Sequence, residues 1–416
     1  MNHRHILFAS LIGTTIEFFD FYIYGTAAVL VFPALFFPTG DPTTATLQSL
    51  ATFALAFLAR PIGSAVFGHF GDRIGRKATL VAALLTMGLS TVFIGLLPTY
   101  ASIGVAAPAL LALCRFGQGI GLGGEWGGAV LLATENAPPG KQAWYGMFPQ
   151  LGAPIGFVLA NGLFVLLGLV LSDDEFFSWG WRVPFLASTL LVGVGLYVRL
   201  RLTETPAFAE ALARNERVEV PLFTVLRNHT GTLVLATLAA ITTFVVFYLM
   251  TVFTLSYGTT QLGYVRQDFL VLQIIAVLFF GLTIPLSAVA ADRIGRMNML
   301  MLASLAIIGF GLVFGPLFSS ADKASVLLML SLGLAGMGLT YGPLGTALAE
   351  IFPTAVRYTG ASLAFNFAGI LGGSLAPYVA TWLAANYGIA AVGYYLCGAG
   401  AISLLAVLVI KARGSH

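Results

Sequence analysis

The chain has 416 residues, 58% of them hydrophobic and only 9% charged, with a mean hydropathy of +0.93 and 48 glycines. Such a composition excludes a water-soluble globular domain, and a net charge of +3 on so few ionisable groups does not point to nucleic acid. The expected fold class is an all-α integral membrane protein.

Apolar runs long enough to cross a bilayer recur along the whole chain. Turn signals and charges divide it into twelve spans, at about 6–37, 46–70, 78–98, 103–136, 141–171, 182–201, 229–258, 266–290, 298–318, 323–351, 357–386 and 388–411. The first run is too long for a signal peptide and lacks a cleavage site, so it is read as a helix. It carries Glu17, Asp20 and Tyr24 at i, i+3 and i+7, one face that can point into a common cavity. Two close, desolvated carboxylates resist simultaneous ionisation, so one of them can hold a proton at working pH. Arg60 precedes Pro61 in the second span, and reads equally as a functional cation or as an anchor near a helix end.

Between the second and third spans, Asp72, Arg73, Arg76 and Lys77 place four charges in six residues. In the fourth span Arg115, Gln118, Leu122 and Glu125 fall within a helix face about 80° wide. Arg115 and Glu125 would stand about 15 Å apart along that face, too far to pair, so each needs a partner on another helix, a substrate or water. A static interhelical ion pair is the alternative role for Arg115. Gln150, Pro154, Phe157 and Asn161 form a stripe on the fifth span, suited either to a hydroxylated or carboxylated metabolite or to helix–helix adhesion.

The longest hydrophilic interruption, 202–228, falls near the midpoint and suggests three parts: an N-terminal six-helix bundle at 1–201, a linker at 202–228 and a C-terminal six-helix bundle at 229–416. In the second half Tyr248, Thr251, Gln273, Tyr341 and Asn366 are the polar candidates, and no charge sits clearly at membrane depth. Proton coupling and anion recognition are therefore expected mainly on the first half. Glycine-rich runs at 117–128 and 369–373 would let helices approach and slide, while Pro33, Pro154, Pro285 and Pro343 would break helices where gates bend.

Fifteen of the twenty Lys and Arg residues lie on one side if the amino terminus is cytoplasmic, and only Arg182, Arg266 and Lys323 face the other. Both termini are then cytoplasmic. Cys114 and Cys397 fall within apolar spans and read as free thiols. No histidine sits in a metal-ligand or triad pattern within a span, and the only Gly-Lys pair, Gly140-Lys141, has Glu135 where a phosphate-binding loop needs its first glycine, so an enzyme or ATP-driven pump is disfavoured.

The halves repeat each other. "GDRIGRKATL" from Gly71 answers "ADRIGRMNML" from Ala291, and "ENAPPGK" from Glu135 answers "EIFPTAVR" from Glu350. The loop Gly68-x-x-x-Asp72-Arg73-x-Gly75-Arg76-Lys77, its second copy with Asp292, Arg293 and Arg296, and "RFGQGIGLGGEWGGA" from Arg115 resemble the signatures of the major facilitator superfamily. "EFFDFYIYG", "RPIG", "GGEWGGA" and "SWGWRVPF" narrow the likeness to its metabolite:proton symporters, which carry shikimate, dicarboxylates, 2-oxoglutarate, citrate and proline or betaine.

The resemblance implies two pseudo-symmetric six-helix bundles in a bacterial-type cytoplasmic membrane, alternating access around a midplane site. It implies import of a small organic acid with protons as coupling ion, no other cofactor, no nucleic-acid partner, and a monomer in the lipid bilayer. Asp20, Glu125 and Glu17 would carry the proton. Arg115, Tyr24, Gln118, Gln150, Asn161, Arg60, Tyr248 and Asn366 would meet substrate. Gating would fall to Asp72, Arg73, Arg76, Asp292, Arg293, Arg296, Glu135, Glu350 and Arg357. A zwitterion or osmolyte symporter and a proton-driven exporter are the alternatives. The family's osmosensing betaine carrier has a long carboxy-terminal coiled coil; this chain stops soon after Lys411, which disfavours that role.

Overall fold

A computed structural model describes residues 3–38, 40–74, 76–201, 221–319, 322–353 and 356–414. The side chains of Asp72, Arg73, Arg76 and Glu135, and the linker at 202–220, lie outside the described residues. Among the described residues there are helices and no strands, as a bilayer requires when every backbone N–H and C=O must be satisfied within its own segment.

Among the described residues ten helices are long and apolar enough to cross a membrane, and two shorter apolar helices, Val81–Leu96 and Ala106–Leu122, occupy the third and fourth positions. Spans one to three are His3–Leu30, Pro42–Ile74 and Arg76–Leu96. The fourth is broken into Ala106–Leu122 and Trp126–Glu135; the fifth is Gln142–Val170 and the sixth Val183–Arg201. After the short helix Pro221–Asn228, the seventh runs as Thr230–Tyr248, a π-helical segment Leu249–Phe253, and Thr254–Thr260. Arg266–Ile294, Arg296–Ser319 and Lys323–Ile351 are the eighth to tenth. The eleventh joins Arg357–Ala368 to Ala376–Tyr387 through a second π-helical segment, Gly369–Ser374, and Ile389–Gly414 is the twelfth.

Helices of each half pack mostly on one another; the fifth span lies along the eighth and tenth, and the second meets the glycine-rich turn of the eleventh. Glycine makes two of these contacts possible. A Cβ on Gly63 would overlap the Ile120 carbonyl, and one on Gly119 the Ala56 carbonyl, so the second and fourth spans touch backbone to backbone.

Three of the four prolines behave otherwise than expected. Pro154, Pro285 and Pro343 lie inside unbroken helices, and only Pro33 marks a break, between the first helix and the short helix Phe32–Leu35. Membrane helices accommodate proline where neighbouring helices and local adjustments re-satisfy the freed carbonyl. The interruptions fall instead at Gly123-Gly124-Glu125 and at the two π-helical segments, where the backbone ladder itself changes register. Gln273 of the eighth span supports the π-helical segment Leu249–Phe253. Its amide donates to the carbonyls of Met250 at 2.9 Å and Thr251 at 2.7 Å.

Candidate functional site at the bundle interface

The first span is buried along almost its whole inner length, and two neighbouring clusters of polar side chains hang from it. Asp20 is fully buried and faces its own bundle. Its Oδ1 accepts from Ser188 Oγ of the sixth span at 2.6 Å and its Oδ2 from Thr91 Oγ1 of the third at 3.2 Å. Gln118 Nε2 donates to Thr91 Oγ1 at 2.8 Å, and Arg115 Nη1 donates to Gln118 Oε1 at 3.0 Å. A continuous chain of hydrogen bonds thus joins Asp20 to Arg115 across the first, third and fourth spans. Among the described residues no basic side chain pairs directly with Asp20.

Arg115 is also fully buried. Its Nε donates to the Phe53 carbonyl at 3.2 Å, and its guanidinium lies over Tyr24 at 4.1 Å, Phe21 at 4.3 Å and Phe53 at 4.9 Å. Nη2 has no partner, and no acidic side chain among the described residues forms an ion pair with it. Arg60, likewise buried, places its guanidinium over Phe21 at 4.6 Å and Phe57 at 4.9 Å. Two cations over one ring are less than about 9 Å apart, a mutual repulsion of about 2 kcal/mol or more at an effective dielectric constant of about 20.

Beside them is a cavity of about 10 Å³, the lower limit for one water, lined by Phe21, Thr26, Phe53, Phe157, Tyr248 and Thr251 among others. Tyr248 reaches across from the second bundle to pack on Phe21, Phe53 and Phe57. Thr26 donates to Asn161 Oδ1 at 2.5 Å, while Asn161 Nδ2 is buried without a partner. Tyr24 donates to Thr52 at 2.9 Å. Gln150 lies away from this cavity and bridges the bundles, donating to the Tyr341 carbonyl at 3.0 Å and accepting from Trp126 Nε1 at 3.1 Å; Trp126 stacks on Phe365 at 3.6 Å. Asn366 donates to Ser64 at 3.0 Å, and Ser64 donates to the Gly123 carbonyl at the break in the fourth span.

Two expectations change. Glu125 does not share a helix face with Arg115: the helix ends at Leu122, and Glu125 stands at the N-terminal cap of Trp126–Glu135. Consecutive glycines with little helix propensity end the helix there. Nor do Glu17 and Asp20 share one cavity. The carboxylate whose charge reaches Asp20 is Glu125, whereas Glu17 bears on Tyr248 and Tyr341 of the other bundle; Glu17 and Asp20 share a helix face to within about 60°, and packing turns them to different neighbours.

On the face that carries both chain ends, Asp292 accepts from the backbone N–H groups of Ala143 at 3.1 Å and Trp144 at 3.0 Å, capping the fifth span from the other bundle. Arg296 joins Asp292 at 3.4 Å, Glu350 at 3.3 Å and Gln142 at 3.0 Å. Arg357 bears electrostatically on Glu350, and Arg293 is exposed. On the opposite face Arg266 pairs with Asp173 at 2.8 Å and lies over Phe176 at 4.1 Å; Gln267 donates to the Gly168 carbonyl. That second contact between bundles had a sequence signal in one of the three basic residues assigned to this face. The short helix Asp173–Ser178 carries its partners, and a capping box of Ser172 and Glu175 fixes it.

Residues 10–377 match the family model for the Major Facilitator Superfamily. The chain is 58% identical over 414 residues to the inner membrane metabolite transport protein YhjE of Escherichia coli, covering 98% of this chain and 94% of that protein. It is 35% identical to the E. coli shikimate transporter, covering 98% and 94%, and 32% identical to the E. coli proline/betaine transporter, covering 98% and 83%. The xylose transporter XylE from E. coli, in a partially occluded inward-open conformation, superposes with a TM-score of 0.76 at 17% identity, covering 99% of this chain and 97% of that one.

Proposed function

Since the chain belongs to the major facilitator superfamily, a family of transporters and not enzymes, we propose that it is a proton-coupled symporter that imports a small organic acid by alternating access. The observation that carries the substrate class is Arg115. A buried guanidinium with no counter-ion among the described residues and one unsatisfied N–H costs several kcal/mol unless an anion visits it, and Arg60 over the same ring adds to that cost. A carboxylate arriving between them would relieve both terms, with Thr26, Asn161 and Tyr248 supplying neutral contacts.

Asp20 supports the coupling. It is a buried carboxylate that no basic side chain among the described residues neutralises, and its bonds there are to the hydroxyl groups of Ser188 and Thr91, which can serve either protonation state. Gates on the two faces, Asp292 with Arg296 on one and Arg266 with Asp173 on the other, are placed to open alternately. With both termini cytoplasmic, the Asp292 gate faces the cytoplasm and Arg266 faces outward, and the relative named as an inner membrane protein supports that membrane. The second copy of the charged loop suggests that Asp72 latches the eleventh span as Asp292 caps the fifth. A betaine would bring a second positive group beside the Arg115 and Arg60 guanidinium groups that already lie over Phe21, Phe53 and Phe57, and their repulsion favours the organic acid.

The test is a thermal-shift panel of organic acids, betaines and amino acids on the purified protein, followed by uptake into proteoliposomes under an imposed pH gradient. Organic acids should stabilise the protein, and Asp20→Asn should lose uphill uptake while keeping counterflow. Stabilisation by betaines alone would overturn the substrate class; concentrative uptake by Asp20→Asn would overturn the coupling.

A further inference from the structure

Three hydrogen-bonding neighbours surround the Thr91 hydroxyl, one more than a fixed donor would need. Gln118 Nε2 donates to it at 2.8 Å, while Asp20 Oδ2 at 3.2 Å and the Met87 carbonyl at 3.0 Å both lie in reach of its single proton. The direction of the Gln118 bond is determined: Arg115 can only donate, so Gln118 must turn its carbonyl to Arg115 and its amide N–H to Thr91. One lone pair of Thr91 Oγ1 is therefore always occupied, leaving one lone pair and one rotatable proton. Ser188 differs, since its hydroxyl reaches Asp20 Oδ1 at 2.6 Å and, among the described residues, no other acceptor.

We propose that Thr91 is a two-position hydroxyl switch that lets Asp20 take up and release its proton at Oδ2 without moving any neighbouring side chain. The inference rests on the reading of Asp20 as the proton carrier. With Asp20 ionised, the Thr91 proton points to Oδ2 and forms a charge-assisted bond. With Asp20 protonated, its O–H donates to the free lone pair of Thr91, and the Thr91 proton turns to the carbonyl of Met87, the residue one turn back, as helical threonines commonly do. Every polar side-chain atom of Asp20, Thr91 and Ser188 keeps a partner in both states. Protonation at Oδ1 offers no such exchange, because the Ser188 proton would have no second acceptor.

The charged groups facing this site are Glu125, whose field reaches Asp20, and Arg115 at the far end of the chain. Because Gln118 donates to Thr91 in both states, the geometry of Arg115 is unchanged while the charge at the other end of the chain changes. Thr91 is thus a positioning residue through which the proton alters the field at the anion site and not its shape.

Infrared difference spectroscopy of the purified protein between alkaline and acidic buffer tests this without a substrate. A carboxylic-acid band that Asp20→Asn abolishes should be present in the wild-type protein. In Thr91→Val, or in Thr91→Ala should that variant fold poorly, the same band should move to higher frequency, because the acid O–H has lost its acceptor; Thr91→Ser should restore its position. A band unmoved by both Val and Ala would overturn the switch. If no band in the wild-type protein depends on Asp20, the proton-carrier reading fails first, and that outcome is distinct from an unmoved band.

Discussion

Arg115→Met separates a transport role from a structural one. The substitution keeps an unbranched apolar stem against Tyr24, Phe21 and Phe53 but removes the charge. Had Arg115 been one half of a buried ion pair, truncation would strand a carboxylate and cost about 3–5 kcal/mol. No acidic partner is present among the described residues, so what is lost is a donor to Gln118 Oε1 and one to the Phe53 carbonyl, about 1–3 kcal/mol each. Against this stands the relieved desolvation of an unpaired cation, also several kcal/mol. The two nearly cancel, and ligand-free stability should change by no more than about 2 kcal/mol. Binding behaves differently. Nη2 alone remains to meet a substrate carboxylate, and one hydrogen bond to a charged group contributes about 1.5–3 kcal/mol, or roughly 10- to 150-fold in affinity. The assay is thermal unfolding in detergent with and without the organic acid that gave the largest stabilisation, with affinity from isothermal calorimetry. A large fall in ligand-free Tm would show that an ion pair had been broken, and unaltered affinity would show that the anion binds elsewhere; either result refutes the reasoning.

Asp292→Asn keeps the size of the cap on the fifth span but loses the charge that the N–H groups of Ala143 and Trp144 and the Arg296 guanidinium share, weakening closure of that face by about 1–3 kcal/mol; a thiol probe applied from that side should label Thr346→Cys, which faces the Gln142 carbonyl, several-fold faster. Arg266→Ala should do the converse, since it removes an ion pair with Asp173 and a ring contact with Phe176 from the opposite face; label reaching Thr26→Cys from that side should rise, and unchanged labelling would show that Gln267 alone holds the closure. Gln273→Leu strips donors from the carbonyls of Met250 and Thr251 in the π-helical segment and should lower unfolding stability by about 2–4 kcal/mol, whereas an unchanged Tm would mean that the segment reverts to a regular helix.

Hydropathy made the twelve spans legible, because each needs about twenty apolar residues and a charged turn to end it. Paired charged loops made the Asp292 and Arg296 constellation legible as well, since charges that recur between apolar runs have few other uses. What the pattern could not supply is rotation. Asp20 and Glu17 lie within 60° of one another on the helix, yet packing turns one toward Thr91 and Ser188 and the other toward the second bundle. Thr91 and Ser188 escaped notice for a related reason: a hydroxyl in an apolar helix usually bonds its own preceding turn and leaves no trace in periodicity. The break at Gly123-Gly124 was visible as glycine richness, but its effect on Glu125 depended on where the helix stopped.

The two closed faces constrain how substrate can enter. A metabolite needs a pocket of several hundred Å³, and the cavity between the bundles is about 10 Å³ because Tyr248 fills the space among Phe21, Phe53 and Phe57. Tyr248 sits directly before the π-helical segment Leu249–Phe253, whose extra residue per turn is held by the Gln273 amide. Gly373 packs its bare backbone against both Phe57 and Tyr248 from the eleventh span. Two irregular helices therefore meet at Tyr248, a ring that would have to withdraw for a substrate to reach Arg115 on the proposed reading. Irregular backbone at membrane depth is tolerated only where it is buried in protein or lines a cavity, and if the proposed anion site at Arg115 is right, its placement beside Tyr248 makes the seventh and eleventh spans the elements expected to move when that site opens.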